Sequence, residues 1–351
     1  MDTISSLQKE FGKDVIKAYN PTFEGVEKMS TGITALDAIL GGGWPKGRIV
    51  EIYGAESSGK TTIALTAVAA AQKAGMNCAY IDAESALDMA YAKNIGVDTS
   101  TLLLCQPDYG EQGLMITDAL IRTGEVSLIV IDSVAALVPK KELDGEIGDA
   151  NVGLQARMMS QAMRKLAGPA AAMNCTLIFI NQIREKVGVM FGNPETTPGG
   201  RALKFYASVR LDVRKTQVLK NGDKAYGART KVKTVKNKTF PPMRVAEFDI
   251  VFPFGVDNIG SVVDLAVDLG LLAKGGGGYY TYKDCRKHGK LAMVEFFASD
   301  EGKPIFDELN AKVKETISRQ NAEDMGIAVD SDAEGEESEP DKAGLTAEEE
   351  N

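Results

Sequence analysis

The sequence is poor in the residues that build metal sites and histidine-based catalytic sites. It contains one histidine, His288, in a Lys/Arg-rich stretch, and four cysteines, none of them paired as Cys-x-x-Cys. This composition argues against a zinc site and against a catalytic triad with histidine. Cys78, Cys105 and Cys175 lie in or beside apolar, strand-like runs, where a reduced thiol is the ordinary state.

Long apolar segments are also missing. No run reaches the length that a membrane-spanning helix needs, and the N-terminus has no apolar region of the kind found in signal peptides. We therefore expect a cytoplasmic protein without a membrane partner.

Basic residues are almost absent from the C-terminal end. Residues 321–351 carry twelve acidic side chains and one base, Lys342, whereas the whole chain has a formal charge of −9. The remaining residues therefore total +2. Few apolar residues accompany the acids, which predicts an acidic disordered tail from residue 321. The body of the protein is not predicted to repel nucleic acid.

The most informative stretch is residues 54–62, which fits the phosphate-loop pattern of a glycine, four residues and Gly-Lys-Thr. A β-branched apolar run precedes it and an alanine-rich helical run follows, so a chance match in a glycine-rich connector is disfavoured. A loop that joins a strand to a helix offers backbone N–H groups and the helix dipole to phosphate. Lys60 is predicted to reach the β- and γ-phosphates, and the Thr61 hydroxyl to ligate Mg²⁺. The predicted nucleotide contacts are Gly54, Ala55, Glu56, Ser57, Ser58, Gly59, Lys60, Thr61 and Thr62.

Further apolar runs alternate with helical ones along the chain. They lie at residues 77–82, 102–105, 126–133 and 176–182. This alternation predicts an α/β fold with a mostly parallel central sheet covered on both faces. Ligands of such sheets bind beyond the carboxyl ends of the strands. The polar residues predicted at or beyond those ends are Thr61, Glu84, Asp132 and Gln182.

Carboxylates follow two of the predicted strands. Asp132 comes after four apolar residues and fits the second nucleotide motif, where it would hold Mg²⁺ through water or the Thr61 hydroxyl. Capping of the next helix is the alternative role. Hydrolysis also needs a group that orients or deprotonates the attacking water. Glu84, just past its strand, is the predicted base ahead of Asp82, which still lies within the strand.

Two long loops, at residues 142–151 and 183–201, follow the later strands. Loops of this length are usually functional or disordered. Their glycines and basic ends suit a single-stranded nucleic acid backbone, and Phe191 offers a face to bases. A lid over the nucleotide is the alternative. The amide of Gln182, where the second loop begins, is predicted to hydrogen-bond a γ-phosphate.

The segment from residue 201 to residue 244 is strongly basic, with thirteen Lys or Arg against Asp212 and Asp223. A solvated face is the ordinary interpretation of such an excess. The cluster of Lys236 and Lys238 could instead act on a nucleotide bound to a neighbouring subunit, and spacing does not decide between the two.

Two peripheral parts complete the chain. Residues 3–20 predict an amphipathic helix that packs on its own domain or docks on another subunit. From about residue 257 shorter elements follow: a helix near 261–269, a glycine run at 275–278, a strand-like run at 279–282 and a helix over 304–318. These predict a small α/β domain.

The motifs together resemble the bacterial RecA DNA recombinase family over roughly residues 1–320. Residues 189–197 are the most specific stretch, because nucleotide binding in general does not require them. The stretches that carry the resemblance are residues 54–62, 80–84, 130–137, 145–149 and 181–200.

The resemblance implies a domain organisation and a function. It implies an N-terminal polymerisation helix at 1–28, a RecA-type ATPase core at 29–257, a small C-terminal α/β domain at 258–320 and the acidic tail at 321–351. The implied function is a DNA-dependent ATPase with ATP and Mg²⁺ that forms a helical filament on single-stranded DNA. That filament would pair and exchange strands with a homologous duplex in recombination and repair. A single-strand-binding protein, a LexA-like repressor and a part in the SOS response are implied as well.

Individual roles follow by position. The implied catalytic residues are Lys60, Glu84 and Gln182, with Gln182 sensing the γ-phosphate. Tyr91 matches the adenine-stacking tyrosine, and Phe205 matches an interface aromatic. Lys236 and Lys238 match lysines that reach ATP across the filament interface. The loops at 145–152 and 183–198 match the two DNA-binding loops, and the implied DNA contacts are Arg157, Arg184, Lys186, Phe191, Gly199 and Gly200. Basic residues placed to gather duplex DNA are Lys283, Arg286, Lys287 and Lys290.

The chain departs from the family pattern in a few places. Ser85 stands where many members have histidine, and Val152 stands where methionine is common. Pro198 and Arg201 change the end of the second loop. None of these departures removes a catalytic group, and they suit a bacteriophage-encoded or a divergent bacterial member.

Two other functions remain open. A hexameric helicase could use the same core and would form rings. A scaffold or signalling ATPase could assemble without handling DNA, although the glycine-rich second loop argues against it.

Overall fold

A nine-stranded sheet forms the centre of this computed structural model, which describes residues 2–12, 25–147, 149, 151, 153–185 and 195–326. The strands are β1 (Lys28–Met29), β2 (Trp44–Pro45), β3 (Ile49–Gly54), β4 (Asn77–Asp82), β5 (Leu103–Cys105), β6 (Val126–Asp132), β7 (Thr176–Gln182), β8 (Arg184–Glu185), β9 (Glu195–Thr196), β10 (Val209–Asn221), β11 (Lys224–Asn237), β12 (Val245–Val251), β13 (Gly255–Val256), β14 (Ala273–Lys274), β15 (Tyr279–Tyr282) and β16 (Cys285–His288). The helices are α1 (Asp2–Phe11), α2 (Thr34–Leu40), α3 (Lys60–Lys73), α4 (Met89–Ile95), α5 (Gly110–Thr123), α6 (Lys140–Leu143), α7 (Leu154–Ala172), α8 (Ala202–Tyr206), α9 (Asn258–Asp268), α10 (Lys290–Ala298) and α11 (Lys303–Asp324), with 3₁₀ turns at Val134–Ala136 and Gly276–Gly278.

The strand order in the sheet is β13-β12-β11-β10-β3-β7-β6-β4-β5. Strands β10, β3, β7, β6, β4 and β5 run parallel, and β11 to β13 continue the sheet antiparallel. The predicted mostly parallel α/β sheet is thus confirmed. The parallel arrangement brings the carboxyl ends of β3, β4, β6 and β7 to one edge, where a ligand site is expected.

Both faces of the parallel strands are buried, as their continuous apolar sequences require. On one face Val130 of β6 and Ile178 of β7 pack in a core with the residues of α2 and α3. On the other face Ile129 and Phe179 pack in a second core with α5 and α7. Successive side chains of one strand point to opposite faces, so each strand is held in register from both sides.

The C-terminal elements α9 to α11 and β14 to β16 have a buried cluster of their own. Charged side chains connect this part to the large sheet. Lys290 lies 2.6 Å from Asp264 on α9 and 3.7 Å from Asp249 on β12. Arg229 on β11 lies 3.2 Å from Asp264 and 3.5 Å from Asp249. The four side chains form one network between the small part and the sheet.

Two predicted helix boundaries were wrong. Helix α1 ends at Phe11 rather than continuing to residue 20, because Gly12 follows with a φ of +98°. Residues 13–24 lie outside the described part. Helix α11 passes its predicted end at Ser318 and reaches Asp324, so residues 321–324 are helical rather than part of a tail. Residues 327–351 of the predicted tail lie outside the described part.

The basic segment holds the largest feature that the sequence did not predict. Strands β10 and β11 form an antiparallel ribbon from Val209 to Asn237, and β10 joins β3 through parallel pairing. The excess of Lys and Arg therefore lies on strands of the central sheet and not only on a solvated face.

All four cysteines are free, and Cys78 and Cys175 are buried. Burial raises the pKa of the Cys78 thiol to about 12. Among the described residues, no helix combines the length and the apolar character that crossing a membrane requires.

Candidate nucleotide and DNA site

The phosphate loop joins β3 to α3, as its sequence predicts, and two of its glycines have no room for a side chain. A Cβ on Gly54 would lie 2.2 Å from the Val213 carbonyl oxygen of the neighbouring strand β10. Gly59 has a φ of +100°, and a Cβ there would lie 2.4 Å from Ile250 Cδ1. The loop is therefore pressed against two strands of the sheet, and only glycine fits at both positions.

Lys60 is the first residue of α3 and is 8% exposed. Its ammonium donates to the Ala55 carbonyl at 2.6 Å, so the side chain lies across the loop. Burial lowers the pKa of Lys60, and the negative charges of Asp132, Glu84 and Glu56 oppose this shift. A buried cation with few compensating contacts is suited to binding an anion at this position.

Thr61 and Asp132 meet at the ends of the phosphate loop and β6. The Thr61 hydroxyl donates to Asp132 Oδ2 at 3.0 Å, and the Tyr80 hydroxyl of β4 donates to the same oxygen at 2.7 Å. Burial raises the pKa of Asp132, while these two hydrogen bonds act in the opposite direction. The hydroxyl and the carboxylate supply oxygen donors of the kind that Mg²⁺ prefers.

Glu84 and Gln182 also meet at this edge. Gln182 Nε2 donates to Glu84 Oε1 at 3.3 Å, and the Ser133 hydroxyl donates to the same carboxylate oxygen. Glu84 is exposed, whereas Asp82 is 2% exposed. Asp82 already accepts hydrogen bonds from the amides of Ala86 and Leu87 and from the Gln106 side chain.

Beside the loop lies a cavity of about 290 Å³. The phosphate loop and the start of α3 form one wall of this cavity. The opposite wall consists of Ala228 and Thr230 of β11, Ile250 of β12 and Phe252, which follows β12 directly. Tyr91 of α4 lies close by, because its hydroxyl is 2.8 Å from the Thr62 hydroxyl. The Thr230 hydroxyl is buried without a hydrogen-bond partner.

Lys236 and Phe205 lie on one surface of the chain. The Lys236 ammonium donates to the carbonyls of Lys204 and Phe205 at 2.8 and 2.9 Å, and Phe205 is 69% exposed. Burial, followed by the nearby charges of Lys238 and Arg210, lowers the pKa of Lys236. Lys238 is exposed at the end of β11.

The predicted DNA-binding residues differ in exposure and in packing. Arg157 and Arg184 are exposed, whereas Lys186 and Phe191 lie outside the described residues. A Cβ on Gly199 would lie 2.8 Å from Val134 Cγ1, and one on Gly200 would lie 2.8 Å from Ala156 Cβ. These two glycines pack against side chains of α7 and of the turn after β6 and have φ values of +81° and +77°, so tight packing and backbone conformation account for them.

The basic residues of the C-terminal part are largely engaged within the chain. Lys283 pairs with Glu308, and Lys290 belongs to the charged network described above. The Arg286 guanidinium lies 4.2 Å from the centre of the Tyr279 ring, and Lys287 lies 4.4 Å from that of Phe296.

Several residues of the site were missed at the level of sequence. Tyr80 donates to Asp132 and Ser133 donates to Glu84, so these two hydroxyls orient the two carboxylates. A hydroxyl inside an apolar strand or directly after one does not by itself indicate a role in a site. The Gln155 side chain donates to the Val134 carbonyl at 2.9 Å and accepts from the Gly199 amide at 3.2 Å. It thereby connects α7 to the end of the second loop, a contact that depends on tertiary packing.

The chain is similar to known proteins over most of its length. A family model described as the RecA N-terminal domain matches residues 1–257. Protein RecA of Clostridioides difficile (strain 630) is 54% identical over 315 residues, which cover 89% of this chain and 90% of the relative. The chain belongs to the RecA family. RecA proteins of Heliobacterium modesticaldum (59% identity, 84% of this chain and 86% of the relative) and Acinetobacter baylyi (53% identity, 90% of each) are similar to it as well.

RecA membership decides between the three functions that the sequence left open. The chain is a recombinase of DNA recombination and repair and a DNA-dependent ATPase, and it binds nucleotide and DNA. The fold agrees, because the crystal structure of the RadB recombinase superimposes with a TM-score of 0.51 over 65% of this chain and 98% of the other, at 23% identity.

Proposed function

We propose that the chain binds ATP with Mg²⁺ at the phosphate loop, polymerises on single-stranded DNA and pairs it with a homologous duplex. The observation that carries this proposal is the convergence of Lys60, the Thr61–Asp132 pair and the Glu84–Gln182 pair at one edge of the sheet. Phosphoryl transfer depends on positioning and charge stabilisation, and these are the groups that supply both.

The donor set fits a magnesium ion bound together with phosphates. Within the described residues, no group of three or more His, Cys, Asp or Glu side chains could hold a metal alone. Thr61 and Asp132 would therefore share the ion with phosphate and water oxygens. When bound there, Mg²⁺ neutralises charge on the β- and γ-phosphates.

Glu84 is proposed to orient and deprotonate the attacking water. Its exposed carboxylate projects beyond β4, and Ser133 holds it from one side. Gln182 is proposed to exchange its bond to Glu84 for a bond to the terminal phosphate. Because Gln182 is the last residue of β7 before the second loop, such an exchange would report the state of the nucleotide to that loop.

The nucleotide is proposed to lie between two protomers. Lys236, Lys238 and the exposed Phe205 lie at one surface, where they would meet the phosphate loop of a neighbouring subunit. Tyr91 is proposed to stack on the adenine, and α1 to pack on the adjacent protomer. ATP would then stabilise the filament, and hydrolysis would release it.

DNA is proposed to lie along the loops at 145–152 and 183–198. Arg157 and Arg184 are exposed and would contact phosphates, and Lys186 and Phe191 keep the roles that the resemblance gives them. A single-strand-binding protein, a LexA-like repressor and cytoplasmic location belong to this proposal on the strength of the family resemblance.

Mixing two inactive variants tests the shared site. Lys60→Ala lacks the cation of the phosphate loop, and Lys236→Ala lacks the cation that would contact the nucleotide of the neighbouring subunit. A filament made of either variant alone should therefore hydrolyse little ATP. A mixture contains interfaces with both lysines intact and should recover part of the DNA-stimulated rate. Electron microscopy of the parent protein should show open helical filaments on single-stranded DNA. A mixture as inactive as its components would contradict the shared site, and closed rings would contradict the helical filament.

A further inference from the structure

Arg214 on β10 makes the densest set of ionic hydrogen bonds near the second loop. Its two terminal nitrogens donate to Glu195 Oε1 and Oε2 at 2.7 and 2.6 Å. Its Nε donates to Asp212 Oδ1 at 2.6 Å, and one terminal nitrogen also reaches Asp212 Oδ2 at 3.1 Å. Both carboxylates are therefore bound through two oxygens by one guanidinium, and this arrangement fixes orientation as well as distance.

The two carboxylates belong to different parts of the site. Glu195 is the first residue of β9, which pairs with β8, and β8 begins two residues after Gln182, so β8 and β9 form the base of the second loop. Asp212 pairs with Tyr53 in the strand that leads into the phosphate loop, and Val213 pairs with Gly54. Arg214 thus ties the returning end of the loop to the strand beside the phosphate loop.

A second contact supports the same end of the loop from β7. Asn181 Nδ2 donates to the Pro198 carbonyl at 3.2 Å and to buried Glu51 at 3.0 Å. Glu51 in turn accepts from Arg210 Nε at 2.5 Å. A polar cavity of about 160 Å³, lined by Glu195, Asp212 and six other residues, lies beside the first contact. The end of the loop is therefore held at two points, Glu195 and Pro198.

We infer that Arg214 is a positioning residue that couples the nucleotide site to DNA binding. A rearrangement of Gln182 moves the leading strand of the loop base, β8, while Arg214 keeps the returning strand, β9, fixed to β10. The two strands at the base of the loop then change their relative position, with Glu195 held to β10 by Arg214. This inference rests on the proposed function, in which Gln182 reports the nucleotide state.

A different role for Arg214 gives the opposite expectation for Glu195. If Arg214 were only a phosphate contact, removing the neighbouring carboxylate would raise the positive potential and tighten DNA binding. If Arg214 is an anchor, removing either partner loosens the loop base. Glu195→Gln therefore discriminates between the two roles, and it leaves the guanidinium in place.

The experiment measures single-stranded DNA affinity with and without a non-hydrolysable ATP analogue, together with ATP hydrolysis with and without DNA. The variants are Arg214→Lys, which keeps the charge and loses the fork, Glu195→Gln, and the double variant. Arg122→Lys is the matched control, because Arg122 pairs with Asp118 on the exposed side of α5 at 3.0 Å. Thermal unfolding identifies variants that are merely less stable.

Each single variant should lose about tenfold of the affinity gain that the nucleotide confers on DNA binding, a typical size for coupling between two sites. DNA-free hydrolysis should stay unchanged, and the double variant should lose little more than either single one, since both break the same contact. Arg122→Lys should behave as the parent.

Two results would overturn the inference. One is tighter DNA binding by Glu195→Gln, and the other is an intact nucleotide effect in both single variants. A parent protein without DNA-stimulated hydrolysis would instead count against the proposed function, so the two failures can be told apart.

Discussion

Glu84 and Asp82 lie two residues apart and differ in what surrounds them. Asp82 is buried and accepts three hydrogen bonds, whereas Glu84 is exposed and faces Gln182. We expect Glu84→Gln to lower the rate of ATP hydrolysis by about 10²–10⁴-fold, the usual contribution of a general base, and to leave nucleotide binding nearly intact. Steady-state hydrolysis and nucleotide titration measure the two effects.

Asp82→Asn is the matched comparison. The amide would place a donor against groups that already donate, so the free energy of unfolding should fall by about 1–3 kcal/mol. The folded fraction should still hydrolyse ATP. A greater loss of hydrolysis in Asp82→Asn than in Glu84→Gln would reverse the assignment of the base.

Lys28 predicts a pH dependence of stability. Burial lowers the pKa of Lys28 from 10.5 to about 8. Between these values the folded chain binds fewer protons than the unfolded chain, so this residue makes unfolding more costly as pH rises. Below pH 8 the penalty for burying the charge is present in full, and above 10.5 it vanishes. Urea unfolding of the parent and of Lys28→Met from pH 7 to 11 should show a difference that changes across this interval. Parallel curves would contradict the expectation.

At the scale of elements, the contact between β3 and β10 depends on Gly54. Gly54→Ala would place a methyl group against the Val213 carbonyl, so the strands must separate and the free energy of unfolding should fall by about 1–3 kcal/mol or more. Gly168→Ala in α7 is the control. A Cβ there has no neighbour within 4 Å, so this change should stabilise the helix by about 1 kcal/mol. Chemical denaturation of both variants checks the opposite signs, and a neutral Gly54→Ala would show that the strands can adjust.

The elements also show what the sequence could and could not predict. The parallel strands were predictable because each is a short apolar run, and β6 begins and ends within one residue of its predicted limits. The ribbon of β10 and β11 was not, because its alternation of Leu211 and Val213 with charged residues is lost among the Lys and Arg on either side. The convergence of Glu84 with Gln182 followed from parallel topology. The contact of Tyr80 with Asp132 did not, because the apolar sequence of β4 does not show that β6 lies beside it. The contact of Gln155 with Gly199 did not, because it depends on how α7 packs against the end of the second loop.

At the scale of the whole molecule, the uneven charge leads to a prediction about DNA. Residues 327–351 carry ten acidic side chains and one base, and they follow directly after the last described residues. Deleting this segment, and leaving α11 complete, should raise affinity for duplex DNA, because fewer negative charges then compete with the duplex for the exposed Lys283 and Arg286 of the C-terminal part. The gain should be largest at low salt and shrink as salt screens it. Binding isotherms at several salt concentrations provide the measurement, and equal affinities at all of them would refute the prediction.

The position of β3 has a consequence for synthesis of the chain. Its neighbours in the sheet are β7 and β10, so the strand that leads into the phosphate loop pairs with residues 177–182 and 209–213. At typical translation rates, roughly ten to thirty seconds pass between the emergence of residue 54 and that of residue 213. Throughout this interval the apolar segment Ile49–Gly54 lacks at least one of its two neighbouring strands, β7 and β10. The nascent chain should therefore be open to chaperones until the ribbon has left the ribosome, and the nucleotide site should be among the last parts to form.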